Sequence, residues 1–164
     1  MATATYVPIA TQTLSSAASS ITFSSIPSTY TDLRLVLKLN VYSGGATNVR
    51  MQYNGDTGAN YSFTYLAGNG SSAVSTSVTG STSLRFDSGN TAASQSVFAG
   101  LDIFSYAGST YKTCLQQYSA DNNGSGFLTD TVGLWRSTVA INSISIYGNA
   151  GSFDVGTTAT LWGI

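Results

Sequence analysis

The chain has 164 residues, six of them Lys or Arg and seven acidic, with no His and a net charge of −1. Charged residues make up 8% against about 25% in an average soluble domain, so there is no basic stripe to neutralise phosphates and no direct nucleic-acid binding is expected. All the acids are Asp, and Ser, Thr, 17 Gly and ten Tyr replace the Glu, Lys and Arg of soluble helices, which argues against a helical fold and predicts an all-β chain.

The first residues, Met1 to Tyr6, carry neither a basic nor a long apolar region, so no signal peptide is expected and synthesis is read as cytosolic. Short strands are predicted over residues 6–14 and 21–23, with Pro8 favouring a sheet edge and residues 1–14 reading as a terminal arm or edge strand. The clearest strand covers residues 33–42: Leu33, Leu35, Leu37, Leu39 and Val41 share one face, and Arg34, Lys38 and Asn40 the other. Val49, Met51 and Tyr53 alternate with Arg50 and Gln52; Asn54-Gly55 then supplies a turn, and Tyr61, Phe63 and Tyr65 alternate again. This predicts a hairpin with a long loop. Residues 67–83 read as a loop and then an edge strand around Val74 and Val78 with little core to offer, after which Leu84 and Phe86 resume the alternation.

Val97 to Phe104 is dense in apolar residues, as in a strand covered on both faces, and residues 111–118 are its predicted partner. A polar loop at residues 121–126 follows, then a strand over residues 140–147 with Ile144 and Ile146 inward, and closing strands ending at Trp162 to Ile164. About nine or ten short strands with regular turn signals predict one antiparallel β-sandwich, jelly-roll-like, spanning residues 1–164. No stretch approaches the ~18 apolar residues of a membrane span, so no membrane partner is expected.

No catalytic set is legible. Without His or Glu, an acid–base pair would need two Asp, and the seven are scattered. Ser109-Thr110-Tyr111-Lys112 matches Ser-x-x-Lys in letters, but that chemistry needs a helix and these residues favour strand. Cys114 has no intrachain partner and no His to ionise it, and reads as a small buried hydrophobe. Asp121, Asn123, Ser125 and Gly126 fit the start of a calcium loop, yet Val132 stands where the bidentate Glu belongs, so no metal or other cofactor is assigned. Tyr61, Phe63 and Tyr65 read as core rather than a sugar platform. Trp135 with Arg136, and Trp162 near the end, are candidate interface anchors because Trp, Tyr and Arg dominate binding hot spots.

Two stretches carry a resemblance. Residues 6–14 (YVPIATQTL) with Ile21-Thr22-Phe23 and Tyr30-Thr31-Asp32-Leu33 form the first; Gly133-Leu134-Trp135, residues 140–144 and Leu161-Trp162-Gly163-Ile164 form the second. Together they resemble small virion structural proteins of tailed bacteriophages. The resemblance implies a β-sandwich that oligomerises, often as a trimer, on a capsid or tail. The expected function is capsid decoration or cement, with the major capsid protein and copies of itself as partners and Tyr6, Val7, Ile9, Trp135, Arg136, Trp162 and Ile164 as interface residues. The alternative is a tail-fibre or receptor-binding module, in which Asn54, Asp56, Asn60, Asp121, Asn122 and Asn123 would meet cell-surface glycans.

Overall fold

The structure, a computed structural model, describes residues 5–40, 48–86, 97–121 and 123–164. Among them lie β1 (Val7–Thr13), β2 (Ser20–Phe23), β3 (Leu33–Leu39), β4 (Val49–Tyr53), β5 (Tyr61–Gly68) and β6 (Ala73–Ser81). Then follow β7 (Leu84–Arg85), β8 (Val97–Phe104), β9 (Lys112–Ala120), β10 (Phe127–Trp135), β11 (Ile144–Gly148) and β12 (Thr158–Gly163). Helices are absent among the described residues, as the composition predicts.

The strands form two antiparallel sheets. The large one runs β1-β12-β3-β8-β9-β10-β5-β6 and the small one β2-β11-β4-β7. Only β5–β6, β8–β9 and β9–β10 join neighbours within one sheet; every other connection crosses between sheets and ties the layers together. The result is a sandwich of unequal halves.

Alternation in single strands decides which face is buried. In β3, Leu33, Leu35, Leu37 and Leu39 are at most 4% exposed, while Arg34, Val36 and Lys38 point away from the core. Beside it, β8 turns Val97, Ala99, Leu101 and Ile103 inward, and β12 adds Ala159 and Leu161. Ile21, Phe23, Met51, Tyr53, Ile144 and Ile146 of the small sheet meet them. The predicted inward positions of Ile144 and Ile146 hold, and Cys114 is buried with its thiol pushed up to about 11 by desolvation.

Two expectations need correction. β4 and β5 are not hairpin partners: β4 lies between β11 and β7, whereas β5 lies between β10 and β6. The turn chemistry is right, since Asn54 (φ 53°) and Gly55 (φ 67°) are both left-handed and Asp56 N donates to Tyr53 O at 2.9 Å. The turn carries the chain from one sheet to the other. Next, β8 is not covered on both faces: Phe98 is 51% and Phe104 44% exposed. β3 is described over Leu33–Leu39, and the expected continuation through Val41 and Tyr42 falls outside the described residues.

Because Leu35 is fully enclosed at the centre of this layer, Leu35→Ala is expected to cost about 2–5 kcal/mol of unfolding free energy. Lys38→Ala, on the opposite face of the same strand, should cost less than about 1 kcal/mol. Urea unfolding midpoints of the two variants check the assigned faces.

Candidate functional site

The two outer faces of the sandwich differ in chemistry. On the small sheet, Thr22, Ser145 and Gln52 stand side by side across β2, β11 and β4, and Thr22 Oγ1 donates to Ser145 Oγ at 3.1 Å. On the large sheet the outward positions include Phe98, Phe104, Leu115, Leu128, Val132 and Leu66, each 44–57% exposed. They follow from the same alternation that buries their neighbours. Leu115 lies opposite Val132, an apolar pair across β9 and β10, while Ser119 stands between Phe98 and Leu128, and Leu66 lies opposite Asp130.

Charge on this face is sparse and partly neutralised. Arg34 Nη1 donates to both carboxylate oxygens of Asp102 at 2.8 Å, across the β3–β8 pair. Trp162 of β12 stands opposite Arg34 in the adjacent register, half-buried. Lys38 and Asp130 are the other charged groups outward on the central strands. A surface this apolar and weakly charged is suited to contact with other protein.

At one end of the face, the outer surface drops into an open hollow of about 630 Å³. Phe98, Ser119 and Leu128 supply its sheet side; Asn69, Asp121 and Gly126 come from two loops. Asp121 Oδ1 accepts from Gly124 N at 3.0 Å, which holds the loop around left-handed Asn123 and Gly124. Asn122 lies outside the described residues. No group of three or more His, Cys, Asp or Glu clusters among the described residues.

The expected interface residues divide into two places. Val7 and Ile9 of β1 and Trp162 of β12 share one edge of the large sheet; Pro8 pairs with Trp162, and Tyr6 stands exposed just ahead of β1. Ile164 is tied to the chain beside β3: its carbonyl accepts from Thr31 N and Asp32 N, and its amide donates to Asp32 O. Trp135 and Arg136 are at the end of β10, separated from β12 by β9, β8 and β3. Trp135 is 3% exposed, enclosed by Tyr61, stacked at 6.3 Å and 16°, and by Tyr53 at 5.5 Å. It is a core ring, while Arg136 is exposed and donates to the Ala59 carbonyl.

The loop after β4 is built around Asp56. Its carboxylate accepts from Trp135 Nε1 at 2.7 Å, Asn60 Nδ2 at 2.9 Å and Gly58 N at 2.8 Å. Asn54 is engaged too: Nδ2 donates to Ala140 O at 2.8 Å, and Oδ1 accepts from Asn142 N and Ser143 N. The three polar groups expected to present themselves to glycans here are spent on stitching the sandwich together. Lys112 is likewise committed: it is 1% exposed, and its ammonium donates to the carbonyls of Gly108 and Thr110. Burial lowers its pKa.

No protein-family model, curated protein or solved structure matches the chain.

Sequence reasoning missed the outward apolar residues of β8, β9 and β10. In β8 the signal was masked because Phe98 and Phe104 make the strand apolar on both faces. Leu115, Leu128 and Val132 alternate with polar Gln116, Thr129 and Thr131, which are themselves buried. The polar residues of β9 and β10 therefore point the opposite way from a simple hydropathy rule.

The Asp56 clamp yields a prediction. Its hydrogen bonds, chiefly that from Trp135, hold the carboxyl below the usual carboxylate range. The folded pKa is below the unfolded one, so this contribution is full above about pH 4 and is lost as pH falls through the lower, folded value. Asp56→Ala is expected to cost about 1–3 kcal/mol at neutral pH by leaving the buried Trp135 N–H without an acceptor. The gap from wild type should narrow as pH falls below the ordinary carboxylate pKa of about 4 in urea titrations.

Proposed function

We propose that this protein is a virion structural protein of a tailed bacteriophage that decorates and stabilises the outer shell through protein–protein contacts. The observation that carries the reading is the outer face of the large sheet, with Leu66, Phe98, Phe104, Leu115, Leu128 and Val132 about half exposed and charge limited on the central strands to the Arg34–Asp102 pair, Lys38 and Asp130. A face of this kind gains by leaving water, and the contribution scales with the apolar area covered. The resemblance of both chain ends to small virion proteins supplies the context. The major capsid protein and further copies of this chain are the proposed partners. A decoration protein binds the assembled lattice and not its separated subunits, so it stabilises the shell by mass action. Trp162, opposite Arg34 on this face, and exposed Tyr6 just ahead of β1 can extend the same contact, whereas Ile9 packs against the core.

A second reading, a receptor-binding module for cell-surface glycans, is favoured by the hollow beside Phe98. An exposed aromatic ring takes the apolar face of a sugar, and the side chains of Asn69 and Asp121 offer polar groups for its hydroxyls. Asp121 is the sole formal charge among the lining residues, which disfavours an anionic ligand.

Copy number in purified particles separates the two readings. By quantitative mass spectrometry against the major capsid protein, shell decoration should give a ratio near one or another small-integer ratio. A handful of chains per particle would overturn it and move attention to the hollow. There, glycan-array binding that disappears in Phe98→Ala is the expected result for the second reading, and an array with no hits for the wild type would dismiss it.

A further inference from the structure

The two sheets have four edges, and three of them are poorly suited to strand addition. β1 carries Pro8 and a break in register between Pro8 and Ala10; β2 has four residues and β7 two. Such features are how sheets prevent pairing with other chains. β6 is different. It has nine residues, borders the large sheet, and has no strand beyond it among the described residues. Its register with β5 is unbroken from Ala73 to Val78, and the irregularity lies past that stretch, opposite Tyr61 and Phe63. Residues 73–78 contain no charge, no Pro and no Gly. The edge therefore presents backbone N–H and C=O groups with none of the usual obstacles.

The sequence of this edge points to its partner. Val74-Ser75-Thr76-Ser77-Val78 reads the same in both directions about Thr76. We propose that β6 pairs with β6 of a second copy, antiparallel and centred on Thr76. In that register Thr76 faces its own counterpart, Ser75 faces Ser77, and Val74 faces Val78. Every cross-strand pair then joins like with like: hydroxyls with hydroxyls, which hydrogen-bond, and β-branched apolar groups with each other. No charge is repelled or buried. Val74 is 53% exposed, and its cross-strand neighbour Val78 already packs against the core, so the pairing gives Val74 an apolar contact that the single chain lacks. A self-complementary edge closes about a two-fold axis and yields a defined dimer.

The pairing refines the assembly reading above by naming one surface for contacts between copies, and as a property of the free protein it can be tested without particles. Sedimentation velocity of the full chain up to about 100 µM should show a dimer. Thr76→Lys and Thr76→Glu each place like charges opposite one another and should raise the dimer dissociation constant about tenfold or more. An equimolar mixture of the two should restore the dimer, because Lys then faces Glu. Ser24→Lys, an exposed position away from β6, should dimerise as the wild type does. Hydrogen exchange on the wild type needs no variant: β6 amides should become more protected as concentration rises. A wild type that stays monomeric, Thr76 variants that dimerise unchanged, a mixture that stays monomeric, or β6 exchange independent of concentration overturns the pairing. A monomer in solution leaves shell decoration to be judged by the particle copy number, so the two failures are distinguishable.

Discussion

The constraint on which the rest of this structure depends is the mismatch between its two layers. Four strands cover eight. The small sheet runs from β2, whose Thr22 carbonyl accepts from Gln12 Nε2 of β1 at 2.7 Å, to β7, which contacts β5. It spans the inner face from one edge to the last strand but one. β6 projects past it, and its inward positions Val74 and Thr76 remain exposed. No third layer lies over the outer face of the large sheet among the described residues. Since alternation forces one side of every strand inward, the uncovered side is where the chain's remaining apolar residues must stand.

What the sequence made legible follows from local physics. The leucine ladder of β3 has period two and an unambiguous buried face, so the strand and its inward residues could be read directly. Asn54-Gly55 supports two left-handed residues and marked a turn; Pro8 marked an edge; Val74 and Val78 in a run of Ser and Thr marked a strand with little core. Each of these signals is contained in a few adjacent residues.

Pairing is different, because it is settled by residues far apart in the chain. The turn at Asn54 fixes two φ angles and says nothing about whether the next strand returns to β4 or enters the other sheet. β4 finds β11, and β5 finds β10, through complementarity of buried faces that no window of sequence contains. Asp56 shows the same limit: its partner Trp135 is 79 residues away, and a loop Asp beside Asn and Gly reads as solvent-facing until that ring is packed above it. The outward face of β8 was hidden for another reason. Phe98 and Phe104 erase the alternation that would have revealed it, so a strand exposed on one side resembles a strand buried on both.

The scarcity of charge acquires a physical meaning in this setting. Charged side chains on an outer sheet face must be desolvated when that face is covered, and an unpaired one opposes association. Here the central outward pair, Arg34 and Asp102, already satisfies its own charges. The proposed edge carries none. A two-fold axis through paired β6 strands stands normal to the sheet, so the outer faces of both copies look in the same direction. Two apolar faces would then be fixed side by side by backbone hydrogen bonds, and engagement of one would hold the other at high effective concentration over a repeating lattice. A weak contact made by each face becomes strong through that geometry alone, without a large hot spot in either copy. Edge pairing and face contact use different groups, so neither competes with the other.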